Sequence, residues 1–85
     1  MSSSAKAIVT VYTNGPSCMA CTQTKRHLDR RGIAYTELPL DEGNTAAAIE
    51  LGFTTAPVVC VSIDGVESSW AGYRPDRIDA IARAA

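Results

Sequence analysis

Apolar and polar positions change their period along the chain in a way that predicts seven elements. Residues 7–13, Ala-Ile-Val-Thr-Val-Tyr-Thr, are β-branched or aromatic almost throughout, the signature of a strand with both faces covered. Asn14-Gly15-Pro16-Ser17 is a turn cluster, and from Cys18 to Arg31 no Gly or Pro intervenes until Gly32, which fits a helix with glycine at its C′ position. Residues 33–38 read as a second strand, and the right-handed crossover rule makes it parallel to the first. Asn44 offers an N-cap to a short helix over residues 45–51, which Gly52 and Phe53 close in a Schellman-like stop. Residues 57–63 and 66–70 flank Asp64-Gly65, a strong hairpin signal, so the last two strands are antiparallel. Pro75 suits the first position of a third helix, where Ile78, Ile81, Ala82 and Ala85 recur at i, i+3, i+4 and i+7. The order βαβ, α, ββα predicts an α/β protein with a four-stranded mixed sheet flanked by three helices.

Size and charge narrow the function. Eighty-five residues hold one small domain. Residues 1–6 read as a flexible tail ahead of that domain, over residues 7–85. Eight Lys and Arg against nine Asp and Glu leave a net charge of -1, without the basic field that a phosphate backbone requires, so no nucleic-acid partner is expected. The longest apolar run, Ala56-Pro57-Val58-Val59-Cys60-Val61, falls far short of the roughly 20 residues that cross a bilayer. The N-terminal residues lead into a strand and not into the apolar core of a signal peptide. A soluble cytoplasmic protein with no membrane contact is expected. Lys25, Arg26, Arg30 and Arg31 gather toward the end of the first helix, where they suit its dipole as a solvated face.

Cysteine carries the chemistry. Cys18, Cys21 and Cys60 cannot all pair within one chain, and Cys18-Met19-Ala20-Cys21 is spaced either as a redox dithiol or as half of a metal site. The two thiols fall where the first strand ends and the first helix begins, close enough to bridge with little backbone movement. The unpaired amides and positive dipole end of a helix N-terminus favour thiolate there. Cys18, at the exposed tip, is therefore assigned as nucleophile, and Cys21, a turn further in, as the resolving thiol. A structural zinc wants four ligands, and beyond this pair only Cys60 and His27 remain. His27 lies about 13 Å along the same helix from Cys18, too far to close such a site. No metal and no cofactor are expected, and His27 is read as a partly exposed helix residue. Cys60, inside an apolar strand, is read as a buried and inert thiol. Pro57 at the head of a central strand predicts a cis Ala56–Pro57 bond beside the dithiol, leaving the Ala56 backbone free to pair with an extended partner peptide.

These residues together resemble the NrdH-redoxin family, glutaredoxin-like proteins with thioredoxin-like activity. The likeness covers nearly the whole chain. It rests on Val11-Tyr12-Thr13, Cys18-Met19-Ala20-Cys21, Thr24-Lys25, the stretch from Leu28 through Gly32 to Ile33, Leu51-Gly52-Phe53 and Ala56-Pro57-Val58-Val59. Most specific is Trp70-Ala71-Gly72-Tyr73-Arg74-Pro75-Asp76, close to the family's Trp-Ser-Gly-Phe-Arg-Pro signature. The resemblance implies a minimal thioredoxin/glutaredoxin-like fold and a monomeric dithiol carrier. Such a carrier is reduced by thioredoxin reductase at the expense of NADPH and delivers electrons to class Ib ribonucleotide reductase. It also implies partner contacts at Met19, Ala20, Ala56, Pro57, Trp70, Gly72, Tyr73 and Arg74. Glutathione-using glutaredoxins carry a Gly-Gly and acidic pair where this chain has residues 70–74. An ordered loop is expected there, with Trp70 and Tyr73 filling the groove that would hold the tripeptide. The chain departs from the family at Ala20, where many members have Gln, in one extra residue within Asn14-Gly15-Pro16-Ser17, and at Cys60, where a valine would be unremarkable. Two other readings compete: a glutaredoxin using glutathione or another low-molecular-weight thiol, and a module in which two chains share an iron–sulfur cluster or zinc through Cys18.

Overall fold

Val9, Val11, Val59, Val61 and Trp70 alternate along three strands so that all five fall on one side of a sheet, where Leu28, Ile78 and Ile81 from two helices meet them. Removing each such side chain from water stabilises the fold by roughly 1.5–3 kcal/mol. In the computed structural model, which describes residues 7–84, the elements are β1 (Ala7–Thr13), α1 (Met19–Arg30), β2 (Thr36–Pro39), α2 (Glu42–Glu50), β3 (Val58–Ile63), β4 (Val66–Ala71) and α3 (Pro75–Ala84). The tail expected over residues 1–6 and Ala85 of the apolar stripe on α3 lie outside the described residues. The strands form one mixed sheet in the order β2-β1-β3-β4, with β1 parallel to β2 and antiparallel to β3, and β3 antiparallel to β4. This is the expected thioredoxin/glutaredoxin fold.

Local chemistry accounts for the boundaries. Gly32 (φ 69°) ends α1 in a Schellman motif, its amide bonded to the Asp29 carbonyl and the Ile33 amide to that of Leu28. That motif takes up Ile33, so β2 begins at Thr36 and not at residue 33, and the expected strand over residues 33–38 is shifted and shortened. The N-cap of α2 is Asp41, whose carboxylate accepts from the Asn44 amide at 2.8 Å, and not Asn44 as expected. Asn44 instead donates its side-chain amide to the Pro39 carbonyl. The hairpin turn at Asp64 and Gly65 has positive φ at both residues, as a two-residue connection requires.

The second face of the sheet is covered only in part, which corrects the expectation that β1 is enclosed on both sides. Among the residues of α2 only Ala48 is buried, and Ile8, on the open face of β1, is 67% exposed. A short helix of nine residues reaches across one end of the sheet and leaves the rest to water.

Lys25 on α1 and Glu37 on β2 meet at 3.1 Å, and the Thr13 hydroxyl donates to the same carboxylate oxygen at 2.9 Å. The Lys25 hydrogen bond first, and the Thr13 bond second, hold the Glu37 carboxyl below its ordinary pKa. A carboxyl lowered by folding adds stability above its unfolded pKa and loses it as pH falls through the folded one. Both side chains are partly solvated, so the contribution is about 0.2–1 kcal/mol. Glu37→Gln is expected to lower stability to urea by that amount at neutral pH, and the difference from the parent protein closes as pH falls below about 4.3.

Candidate active site

The turn at residues 14–17 leaves β1 and delivers Cys18 as the N-cap of α1, with extended backbone at φ -81° and ψ 103°. Its sulfur accepts the Cys21 amide at 3.2 Å, the bond that a Ser or Asp cap would make, and its carbonyl accepts the Thr22 amide at 3.1 Å. Negative charge on that sulfur is therefore met by a backbone donor and by the positive end of the helix. Cys18 and Cys21 are joined as a disulfide, with their Cα atoms 5.2 Å apart. Cys18 is half-buried while Cys21 is 1% exposed, so attack from outside reaches Cys18. Met19 stands 74% exposed beside it, and Ala20 is half-buried.

The other wall comes from the start of β3. Tyr12 is paired with Val58, which sets Pro57 level with Thr13 at the end of the sheet where the dithiol lies. The Ala56–Pro57 bond is cis, as its position predicts. Pro57 is fully buried, and Ala56, ahead of the ladder, is half-buried. Beside this wall an open groove of about 290 Å³ runs from Asn14 along Phe53, Thr54, Thr55 and Ala56.

The third segment follows β4. Gly72 donates its amide to the Pro57 carbonyl at 2.8 Å and turns the chain at φ 84°, a conformation that favours glycine. Arg74 forks onto Asp76 at 3.2 and 3.0 Å, holding that carboxyl below its ordinary range in the first turn of α3. Trp70 belongs to the core at 4% exposure, with the Arg77 guanidinium 5.1 Å over its ring. What this loop presents outward is Gly72, half-buried Tyr73 and exposed Arg74.

Two expectations are corrected. His27 is buried, at 9% exposure, and not partly exposed, its ring held between the Tyr73 hydroxyl at 2.7 Å and Asp79 at 2.9 Å. The spacing of Cys21, Thr24 and Leu28 along one face of α1 marks the buried stripe, and His27 lies on its border. Cys60 is half-buried and lines a groove of about 440 Å³ on the open face of the sheet, with Ile8, Thr10, Leu51 and Ser69 among its neighbours. Partial burial first, and Glu67 second, push its thiol pKa up. Among the described residues, no three His, Cys, Asp or Glu side chains converge as a metal site would need, and no helix is long and apolar enough to cross a membrane.

Fold and dithiol together define a thiol–disulfide oxidoreductase of the thioredoxin fold. The glutaredoxin family model matches residues 9–66. Glutaredoxin-like protein NrdH of Lactococcus lactis is 32% identical over 77 residues, 88% of this chain and all of that protein. Its Escherichia coli counterpart is 34% identical over 73 residues, 84% of each. The chain belongs to the glutaredoxin family and, within it, to the NrdH glutaredoxin-like proteins. The solved structure of Escherichia coli NrdH-redoxin superposes with a TM-score of 0.70 at 33% identity, covering 87% of this chain and 93% of that one. A thioredoxin from Fasciola hepatica shares the fold at 18% identity, with a TM-score of 0.65 over 96% of this chain and 84% of that one.

Alkylation of the reduced protein is expected to modify Cys18 first, as the sulfur at the helix cap, ahead of Cys60, whose raised pKa leaves less thiolate at any pH below it, and ahead of buried Cys21. Peptide mapping after short exposure to iodoacetamide checks the order, and rapid labelling of Cys60 would contradict it.

Proposed function

We propose that this protein is a monomeric, cytoplasmic dithiol electron carrier, reduced by thioredoxin reductase at the expense of NADPH and reducing in turn the disulfide of a class Ib ribonucleotide reductase. The observation that carries the reading is the half-buried Cys18 at the cap of α1, with buried Cys21 one turn behind. In the cycle, Cys18 thiolate attacks one sulfur of the partner's disulfide, and the bonding pair leaves on the other as thiolate. Cys21 then gives up its proton and attacks Cys18 in the mixed disulfide, releasing the second partner thiolate and forming the Cys18–Cys21 bond. Two electrons and two protons pass to the partner.

Specificity is assigned to the rim. Met19 and Ala20 flank the nucleophile, the Ala56 backbone ahead of Pro57 offers an edge to an extended peptide, and Gly72, Tyr73 and Arg74 close the side opposite α2, braced from below by Trp70. The Escherichia coli relative has a thioredoxin-like activity profile, and the same preference is assigned to this chain. Its loop over residues 70–74 supports that choice, since Trp70 fills the core there and Arg74 is committed to Asp76.

NADPH consumption with thioredoxin reductase and insulin as disulfide acceptor is expected to proceed, and to be negligible with glutathione and glutathione reductase. Robust turnover with glutathione alone would place the protein with the glutathione-dependent glutaredoxins.

Cys18→Ser is expected to abolish disulfide reduction, whereas Cys21→Ser keeps the attack and accumulates a mixed disulfide visible by mass spectrometry. Equal loss without a trapped adduct in the Cys21 variant would reverse the roles.

A further inference from the structure

A chain of polar side chains joins the helix that carries the dithiol to the loop at the rim. His27 of α1 sits 9% exposed against α3, with Nδ1 at 2.7 Å from the Tyr73 hydroxyl and Nε2 at 2.9 Å from Asp79. Arg31 reaches the same Asp79 oxygen at 3.4 Å. An ionised carboxylate only accepts, so Nε2 carries the ring proton; in the neutral imidazole Nδ1 is then bare, and the Tyr73 hydroxyl donates to it. Two segments distant in sequence, α1 and residues 73–79, are thereby tied together by two hydrogen bonds. An apolar pair of the same shape would serve packing about as well, so what these bonds add is orientation. Where the family signature has Phe, this chain differs at Tyr73 by one hydroxyl, and that hydroxyl is directed at His27.

Tyr73 lies between the two residues that fix the rim. Gly72 is bonded to the Pro57 carbonyl on one side, and Arg74 is forked onto Asp76 on the other. We propose that His27, held by Asp79, is a positioning residue: by drawing the Tyr73 ring against α1 it sets residues 72–74 in the orientation that a partner protein meets when it docks over Cys18. The inference rests on the reading of the protein as a carrier that docks protein partners through this loop. His27 lies about 13 Å along α1 from Cys18 and leaves the sulfur chemistry untouched. Its contribution is to recognition of large partners and not to thiol reactivity.

The test compares the parent protein with His27→Ala, Tyr73→Phe and the double variant. In His27→Ala the rate of reduction of a small aromatic disulfide is expected to be unchanged. KM for the carrier at thioredoxin reductase rises roughly three- to tenfold in that variant at constant kcat, the effect of one lost hydrogen bond. Tyr73→Phe raises KM by a similar factor, and the double variant is no worse than the worse single one, because both remove the same bond. Hydrogen–deuterium exchange of the oxidised protein, a readout independent of any partner, is expected to quicken at the amides of residues 72–74 in each variant. An unchanged KM, additive losses in the double variant, or exchange at residues 72–74 no faster than in the parent overturns the proposal. Should His27→Ala not fold, Tyr73→Phe, which removes a single oxygen atom, decides it by the same readouts. Failure of thioredoxin reductase to reduce the parent protein refutes the carrier reading itself; the exchange measurement then decides whether His27 positions the loop.

Discussion

The antiparallel pairing of β3 with β1 is the constraint on which the rest depends. β1 runs toward the dithiol and β3 runs back from it, so the residue that precedes β3 must lie at the end of the sheet where β1 gives way to α1. With Tyr12 opposite Val58, that residue is Pro57. The same register places Val11 opposite Val59 and Val9 opposite Val61, all on the face that α1 and α3 cover. A slip of one residue would turn Val59 and Val61 toward water and carry Pro57 away from Thr13. The apolar core and the active site are thus two consequences of one alignment, and neither can shift alone.

Seating α1 on that face decides which sulfur is reachable. Cys21, Thr24 and Leu28 point into the protein, which leaves Cys18, at the cap, to face outward. The rim is then completed from the far end of the chain, where the Gly72 amide takes the Pro57 carbonyl and brings the segment before α3 against the start of β3. The open face of the sheet takes no part in this assembly. Its sparse cover by α2 is compatible with function because α1, which carries the dithiol, and α3 pack on the other side.

Much of this was legible in the chain. The β-branched run of β1, the helix up to Gly32, the Asp64-Gly65 hairpin and the Cys18/Cys21 spacing each have a local cause, and local causes can be read in order. The cis bond at Pro57 was legible for a different reason, since proline at the head of a central strand leaves few conformations. What escaped depended on contacts between distant residues. Whether β1 was covered on both faces turned on how far α2 reaches, and the start of β2 turned on Ile33 being taken up by the end of α1. Asp41 displaced Asn44 as the cap because both can cap and only the path of the chain chooses between them. His27 read as a partly exposed helix residue because its partners, Tyr73 and Asp79, stand 46 and 52 residues away. For Trp70 the sequence left packing of α3 onto the sheet and partner contact both open, since the signature that marks it says nothing about which way the indole faces, and the structure places it in the core.

The sheet ends on two open sides, and their composition has a consequence for how the molecule lives in a crowded solution. β2 is only four residues long and exposed throughout, carries Glu37, and ends in Pro39, which has no amide to donate. β4, at the opposite side, presents Glu67 and two serines. Short, charged or proline-capped edges refuse a further strand. In the proposed cycle the protein welcomes extended backbone at Ala56 and at neither outer edge. In that proposed cycle a client is told from the sheet edge of another copy by main-chain hydrogen bonding, before any side chain at the rim is read.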